Sequence, residues 1–219
     1  MTVHAIAHRA GNSLAGLRAA RTLGVDVIEC DVREHRGRLE VRHLKTAGPL
    51  PLLWDTWELV PASAPRLGLA ELLDADHHDT TLMLDVKGRR PSTAEAVARQ
   101  LHDSGIEHPI WVCGRWWPAI DTLATLDFVR PVLSARNRSE LGRLRRRLAD
   151  GPGVHGVSVH ASLLDEAVVA ELDARVEVVM SWPVNDVPLL GRLLGIGVNG
   201  IISDEPDVLA ELLRRRAGS

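Results

Sequence analysis

Short runs of Val, Ile and Leu alternate along the chain with longer amphipathic stretches, in which apolar residues recur every three or four positions. The apolar runs predict eight strands, at residues 3–8, 25–31, 81–86, 109–113, 128–133, 154–158, 176–181 and 198–202. The amphipathic stretches predict helices at residues 13–23, 67–74, 92–104, 137–149, 163–173, 186–195 and 206–216. Several of these helices are followed by glycine, which commonly ends a helix. Strand and helix therefore alternate along the whole chain.

This alternation predicts a parallel sheet covered by helices. Eight such units in 219 residues is the size of a compact (β/α)8 TIM barrel. An open doubly wound sheet is the alternative, but HRAGNSLAG after the first strand contains neither GxGxxG nor GxxxxGK[ST], the glycine-rich phosphate loops. We therefore expect one barrel domain over residues 1–219, with polar residues at the strand ends pointing into a shared mouth.

A ninth strand candidate, RLEVRH at residues 38–43, has no helix before it. A parallel crossover needs about a dozen residues or more, so this segment can only form a hairpin with the second strand, turning near Arg36 and Gly37. In that hairpin the numbers of paired residues sum to roughly 73, which sets residue 42 or 43 opposite residue 30 or 31. His43 is therefore predicted to return beside the acids of the second strand.

Composition indicates an ordinary globular protein, with 45% hydrophobic and 25% charged residues and a formal net charge of −3. This charge gives no electrostatic reason to expect nucleic acid or an anionic membrane surface as partner. Cys30 and Cys113 both lie in apolar runs, which favours reduced, buried thiols and a reducing compartment. The N-terminus MTVHAIAHRAG lacks a signal-peptide pattern and no apolar run reaches 18 residues, so we expect a cytoplasmic protein without a membrane anchor. The oligomeric state stays open.

Three acidic residues occupy the ends of buried-looking strands. Glu29 and Asp31 are two residues apart on one strand and so point to the same side, whereas Cys30 between them points away. Two neighbouring carboxylates repel each other, and a bound cation is the common resolution. Asp85, which ends LMLD, would complete an oxygen site suited to Mg²⁺, Ca²⁺ or Mn²⁺. The alternative is an exposed strand edge with solvated acids.

Two histidines are predicted at the same mouth. His8 follows the apolar AIA of the first strand, and His43 ends the hairpin. A neutral histidine can take or give a proton near pH 7, so the two could act as acid and base on either side of a reacting group. The alternative for each is a hydrogen-bonded core histidine.

Arg9 and Lys87 add positive charge to the mouth, as an anionic substrate oxygen would require. Lys87 lies two residues past Asp85 and hence on the same face. Trp182, at the end of VVMSW, either forms a wall of the pocket or simply packs in the core. A metal site, two histidines and two cations at one mouth together suit displacement at phosphorus.

The segments AHRAGNS, IECDV, VRHLK, LMLDVK, SWPVND and GVNGIISDEPD, in this order, resemble the glycerophosphodiester phosphodiesterase family. That family shares a distorted barrel with the phosphatidylinositol-specific phospholipases C. The resemblance implies hydrolysis of a small-molecule glycerophosphodiester to glycerol phosphate and an alcohol, with Ca²⁺ or Mg²⁺ as the ion. By position it implies an acid/base pair of His8 and His43, metal ligands Glu29, Asp31 and Asp85, phosphate contacts Arg9 and Lys87, and a substrate contact from Asn12.

The chain also departs from the family pattern. The E-N-T segment survives only as Gly11-Asn12-Ser13, His43 is followed by Leu44, Asp85 replaces Glu and Asn199 replaces Asp. Residues 46–65 are shorter than the usual insertion, and Asp85-x-Lys87 resembles the spider-venom sphingomyelinase D branch. The alternative functions are therefore a lysophospholipase D, a lyase that forms a cyclic phosphate, or a catalytically impaired barrel that binds a phosphorylated ligand.

Overall fold

The structure, a computed structural model, describes residues 2–48, 50–55, 58–75 and 80–218. The strands of this part of the chain are β1 (His4–Ala7), β2 (Val27–His35), β3 (Arg38–Val41), β4 (Lys45–Thr46), β5 (Leu52–Asp55), β6 (Glu58–Pro61), β7 (Thr81–Val86), β8 (Ile110–Gly114), β9 (Val129–Ala135), β10 (Gly156–His160), β11 (Val178–Trp182) and β12 (Gly200–Ser203). Strands β1, β2 and β7 to β12 form a parallel sheet, and β1 pairs with both β2 and β12. The sheet is therefore closed, which confirms the predicted barrel.

Each barrel strand is followed by a helix. The helices are α1 (Leu14–Leu23), α2 (Leu69–Ala75), α3 (Pro91–Asp103), α4 (Trp117–Leu123), α5 (Arg138–Asp150), α6 (Glu166–Asp173), α7 (Val187–Gly195) and α8 (Pro206–Ala217). Seven of them match the predicted helices within three residues at each end, while α4 was not predicted. Its segment begins Trp-Trp-Pro and spans only seven residues, too few to show a helical period. None of the described helices is long and apolar enough to cross a membrane.

Two separate apolar layers hold the barrel together. Alternate strand residues face inward, and side chains such as Ile6, Met83 and Met180 fill the interior beneath the mouth. The other strand residues face outward and pack against the helices in the larger cluster. Both cysteines are free and buried, with Cys30 in the outer layer and Cys113 in the inner one. Cys30 therefore points away from the mouth, as the strand alternation predicts.

The hairpin after β2 has the predicted register. β3 pairs antiparallel with the end of β2, from Val32 opposite Val41 to His35 opposite Arg38, so paired numbers sum to 73. Both turn residues have positive φ, 51° at Arg36 and 76° at Gly37, as a two-residue type I′ turn demands.

The hairpin ladder continues one residue beyond β3. The amide of Arg42 donates to the carbonyl of Asp31 at 2.8 Å, so residue 42 stands opposite residue 31. His43 follows at once and thus lies at the level of the acids.

The predicted reduced insertion forms a small antiparallel sheet of β4, β5 and β6 outside the barrel ring. Leu53 on β5 is buried and anchors this sheet, whereas Trp54 and Leu59 are exposed on its outer side. Residue Asp55, at the end of β5, reaches the mouth of the barrel. The insertion therefore contributes to the mouth although it is short.

Candidate active site

The carboxyl ends of the barrel strands surround a cavity of about 500 Å³. Seven of the nine residues predicted for the site line this cavity: His8, Arg9, Glu29, His43, Asp85, Lys87 and Trp182. The other two, Asp31 and Asn12, lie behind its wall and contact each other. All nine are thus brought to one end of the barrel, as the fold predicts.

Three carboxylates converge at the edge between β2 and β7. Asp31 stands opposite Asp85 in the parallel register, and Glu29 precedes Asp31 by one pleat on the same face. One oxygen from each of Glu29, Asp31 and Asp85 lies within 4.8 Å of the others. This spacing matches opposite ligands of a cation whose oxygen distances are about 2.3–2.6 Å.

The buried oxygens of the cluster also fit a divalent cation. Glu29 is 2% and Asp31 0% exposed, so neither is solvated. The Oδ1 atom of Asp31 has no aligned hydrogen-bond donor, and its near neighbour is the Lys87 ammonium at 2.7 Å. A set of three acidic oxygens with spare acceptor capacity is what Mg²⁺, Ca²⁺ or Mn²⁺ requires.

The cluster shifts the pKa of its members in different directions. Burial, together with the charge of Asp31, raises the pKa of Glu29 to about 7. Burial would also raise the pKa of Asp31, but the charge and hydrogen bond of Lys87 and the amide of Asn12 hold it below its ordinary value. Burial opposes the charge of Lys87, yet the surrounding carboxylates raise its pKa. Asp31 and Asp85 thus share the permanent positive charge of Lys87.

Asn12 holds Asp31 in place. Its Nδ2 donates to Asp31 Oδ2 at 2.8 Å, and its Oδ1 accepts from the Asp31 amide at 2.8 Å. The short 3-10 turn Ala10–Asn12 can approach β2 because Gly11 has no side chain: a Cβ there would lie 2.8 Å from Cys30 Cβ. Ser13 then caps α1 by accepting from the Gly16 amide. The short segment that replaces E-N-T therefore positions an acid of the cluster.

His8 directly follows β1, and an acid outside the carboxylate cluster holds its ring. Its Nδ1 lies 2.7 Å from Asp204 Oδ1, while its Nε2 is 4.0 Å from Glu29 Oε2. Asn185 fixes Asp204 in turn, donating to its Oδ2 at 3.2 Å and accepting from its amide at 3.1 Å. Burial lowers the pKa of His8, but the hydrogen bond to Asp204 and the charge of Glu29 outweigh it and leave that pKa raised.

His43 has a similar partner on the other side of the mouth. Its Nδ1 bonds to Oδ2 of Asp55, which comes from the small outer sheet. Its backbone carbonyl accepts from Arg33 Nε at 3.3 Å. Burial lowers the pKa of His43, and the charges of Asp31 and Asp55 do not fully offset this effect.

The two histidines thus have the same arrangement, in which Nδ1 bonds to an aspartate. A carboxylate can only accept, so each Nδ1 carries the proton of the bond and each Nε2 stays available for chemistry. The sequence alone indicated no role for Asp204 or Asp55. Asp204 lies within GVNGIISDEPD, so its motif offered a signal, whereas Asp55 lies in the insertion and had none.

The two predicted cations lie against the acids. Arg9 has a left-handed backbone, with φ 55°, which lets its amide donate to Glu29 Oε2 at 2.6 Å. Its side chain is 39% exposed, with Nε 3.8 Å from Asp31 Oδ2. The Lys87 ammonium contacts both Asp31 and Asp85. Both cations can therefore reach an anion that enters beside the carboxylates.

Trp182 and Asn199 have distinct positions. Trp182 lines the cavity, packs on the inner apolar layer and meets the His160 ring edge-on at a centroid distance of 5.2 Å. It is therefore both a wall and a packing residue. Asn199 is buried away from the cavity: its Oδ1 accepts from the Val179 amide and its Nδ2 donates to the Glu177 carbonyl. A carboxylate at this position could not make the second bond.

The sequence matches no family model and no curated protein. Solved structures, in contrast, are similar over nearly the whole chain. A phosphodiesterase from Oleispira antarctica, in complex with the product sn-glycerol-3-phosphate, is 19% identical over 95% of this chain and 96% of its own, with a TM-score of 0.76.

Two further structures are glycerophosphodiester phosphodiesterases. The protein from Thermotoga maritima is 16% identical, covering 97% of this chain and 99% of its own with a TM-score of 0.76. The one from Parabacteroides distasonis is 19% identical, covering 99% and 100%, with a TM-score of 0.73. The chain therefore has the (β/α)8 fold of glycerophosphodiester phosphodiesterases, the family that its sequence motifs resemble.

Proposed function

We propose that the protein is a metal-dependent phosphodiesterase that hydrolyses glycerophosphodiesters to glycerol phosphate and an alcohol. The observation that carries this proposal is the pair of histidines, each held by an aspartate, beside a three-carboxylate cluster at the barrel mouth. A complex of the same fold supports it, since the Oleispira antarctica phosphodiesterase holds the product sn-glycerol-3-phosphate.

Glu29, Asp31 and Asp85 would hold the divalent cation, which is Mg²⁺, Ca²⁺ or Mn²⁺. When bound, the ion supplies positive charge that stabilises the non-bridging oxygens of the phosphodiester. Asn12 acts here as a positioning residue, because both of its polar side-chain atoms bond to Asp31. This differs from the substrate contact that the family resemblance implies for Asn12.

Arg9 and Lys87 bind the anionic phosphate, and Trp182 forms a wall beside it. One histidine, through Nε2, takes a proton from the attacking water as the new P–O bond forms. The other gives a proton to the alcohol oxygen as the old P–O bond breaks. Asp204 and Asp55 keep the His8 and His43 rings oriented through this exchange.

The test is release of glycerol phosphate from glycerophosphocholine and related diesters in the presence of Mg²⁺, Ca²⁺ or Mn²⁺. His8→Ala and His43→Ala should each lower kcat by roughly 10²- to 10⁴-fold, the usual contribution of an acid or base. His102→Ala is the matched control, because that histidine is exposed on α3. The proposal fails if no diester turns over or if His8→Ala keeps full activity.

A second candidate is either a lysophospholipase D or a sphingomyelinase-D-like lyase that forms a cyclic phosphate. It is favoured by the Asp85-x-Lys87 pair, whose side chains are in contact. In this reaction a substrate hydroxyl next to the phosphorus displaces the alcohol in place of water. Phosphorus NMR of the product separates the two reactions, since hydrolysis yields a monoester. Failure of Mg²⁺ or Ca²⁺ to bind at millimolar concentration would instead favour an impaired barrel that only binds a ligand.

A further inference from the structure

Beyond the proposed catalytic residues, the mouth has an excess of cations. Five basic side chains outside the inner group line the cavity: Arg33, Lys45, Arg89, Arg115 and Arg136. Three of them, Arg89, Arg115 and Arg136, come from the successive loops after β7, β8 and β9 and form one side of the mouth. We refer to these three residues as the arginine arc.

Glu140 on α5 anchors one residue of the arc. It accepts from Arg115 Nε at 3.2 Å and from the backbone amide of Arg136 at 2.7 Å. Burial raises the pKa of Glu140, but these hydrogen bonds and the charge of Arg115 together outweigh it and hold that pKa below the ordinary value. The side chains of Arg89 and Arg136 are exposed and form no ion pair within the part of the chain that the structure describes. Two guanidinium groups are therefore free to bind an anion at the mouth.

The charge of the inner site is balanced without the arc. The carboxylates Glu29, Asp31 and Asp85 carry three negative charges against the two positive charges of Arg9 and Lys87. A divalent cation and one phosphodiester would bring this group to neutrality. The single negative charge of a phosphodiester is thus enough to neutralise the inner group, and the outer cations are not needed for this.

The outer part of the mouth keeps a positive surplus. Among the described residues its five cations face three acids: Asp55, Glu140 and Asp204, which are bonded to His43, Arg115 and His8 respectively. This leaves about two uncompensated positive charges around an opening that a substrate must enter. Such a field attracts anions and repels cations over about 10 Å at 0.1 M salt.

Within the described part of the chain, the other side of the mouth has no basic side chain in the cavity lining, and its acid, Asp204 after β12, is bonded to His8. Strands β10, β11 and β12 contribute Ser158, Trp182 and Ile202 to the cavity wall. A neutral polyol such as glycerol suits this wall, since it brings no charge to be compensated. The wall from β10 to β12 would therefore accept the neutral glycerol of a diester, whereas the arginine arc would accept an anionic alcohol group.

We propose that the substrates are glycerophosphodiesters whose alcohol carries a further negative charge, as a phosphate or a carboxylate, and that the arginine arc binds this group. The inference rests on the proposed phosphodiesterase function and narrows its substrate class. An alcohol with a quaternary ammonium, such as choline, would place a cation against the unpaired guanidinium groups of Arg89 and Arg136.

The test compares three soluble diesters: glycerophosphocholine, glycerophosphoglycerol and glycerophosphoglycerol phosphorylated on its second glycerol. The phosphorylated diester should have the highest kcat/KM, about fivefold or more above glycerophosphoglycerol, with glycerophosphocholine the poorest. In 1 M salt, where the screening length is about 3 Å, the differences should largely vanish. Arg89→Gln and Arg136→Gln should each reduce the ratio of kcat/KM between the phosphorylated and the unmodified diester by up to about fivefold.

Arg99→Gln is the matched control, an exposed arginine near the end of α3 and away from the cavity lining; it should leave that ratio unchanged. A second readout is independent of turnover. Calorimetric binding of the same diesters to the His8→Ala, His43→Ala double variant should show the same order of affinity.

The outcomes separate the two proposals. If none of the three diesters is hydrolysed, the proposed phosphodiesterase function is wrong. In that case the calorimetric affinities alone test whether the arginine arc binds the anionic group. If all three are hydrolysed with similar kcat/KM and the arginine variants leave the ratio unchanged, the arc proposal is wrong and the function stands. The arc proposal is also wrong if only vesicles of anionic lipid, and not a charge on the soluble diester, raise turnover.

Discussion

Replacing Asp204 by Asn tests whether His8 depends on its aspartate partner. The carboxylate accepts from His8 Nδ1 at 2.7 Å and so fixes both the tautomer and the orientation of the ring. Asparagine has the same shape but no charge, and its amide can present a donor to Nδ1, which favours the wrong tautomer. We therefore expect Asp204→Asn to lower kcat with little change in fold stability.

The size of this effect follows from the geometry. A short hydrogen bond to a charged group contributes roughly 1.5–3 kcal/mol. The lower end applies here, because the Asp204 side chain is 38% exposed and solvent screens part of its charge. About 1.5 kcal/mol in the transition state corresponds to roughly a tenfold loss in kcat. His8→Ala, which removes the group itself, should cost more.

The variant should also move the pH profile in a defined direction. Burial lowers the pKa of His8, and Asp204 is the leading cause of its net rise. Without the carboxylate charge that pKa falls, so the limb of the profile that reports His8 should shift to lower pH. Steady-state kinetics of diester hydrolysis between pH 5 and pH 9 measure both kcat and this limb.

Asp186→Asn is the matched control for this experiment. Asp186 lies in the loop after β11, next to the loop that contains Asp204, and it caps α7 by accepting from the Leu189 amide at 2.7 Å, a bond that asparagine can also make. The control should keep wild-type kinetics. A wild-type kcat and pH profile in Asp204→Asn, combined with a strong loss in His8→Ala, would refute the orienting role of Asp204.

Three further variants test the carboxylate cluster and its support. Asn12→Ala removes both 2.8 Å hydrogen bonds to Asp31 and should lower the free energy of unfolding by about 2–3 kcal/mol in urea denaturation; a loss under about 0.5 kcal/mol would contradict the positioning role. Gly11→Ala puts a methyl group 2.8 Å from a side-chain carbon of β2 and should cost about 1–3 kcal/mol by the same measurement, whereas Gly142→Ala, at an open helical position, should not destabilise. Burial raises the pKa of Glu29 from about 4.5 to about 7, so the metal-free native state holds a proton that the unfolded state releases, and its stability should fall as pH rises through that window. Between pH 5 and pH 8 the free energy of unfolding, measured by urea denaturation, should fall less in Glu29→Gln than in the wild-type protein. An equal fall in both proteins would show that Glu29 does not cause it.

The barrel could be predicted well from the sequence because its apolar residues follow two clear periods, two residues in the strands and about 3.6 residues in the helices. Seven of the eight predicted strands begin one or two residues early, as at 25–31 for Val27–His35, since apolar residues that precede a strand also pack in the core. The hairpin register was predictable because the pleat alternates strictly and Arg36-Gly37 is the one tight turn available. Helix α4 could not be predicted, because seven residues do not reveal a helical period.

The site was predictable wherever strand ends supply it. Glu29, Asp31, Asp85 and His8 converge because a barrel places the carboxyl ends of its strands around one opening. The aspartate partners of the histidines do not come from the ends of barrel strands in a predictable way, since Asp55 belongs to the small outer sheet and Asp204 to the loop after β12. Asp204 lies 196 residues from His8, and no periodic pattern links them.

Asp85 illustrates how register compensates for a shorter side chain. A glutamate, usual in the family, would extend about one methylene, roughly 1.5 Å, farther into the mouth. Here Asp85 stands directly opposite Asp31 on the neighbouring strand, and strands lie about 4.8 Å apart, so the two carboxylates reach one another without the extra methylene. Lys87, one pleat farther along, then has room to place its ammonium against both acids. The aspartate and the lysine thus form one unit, in which the shorter acid lets a permanent cation balance two of the three carboxylate charges.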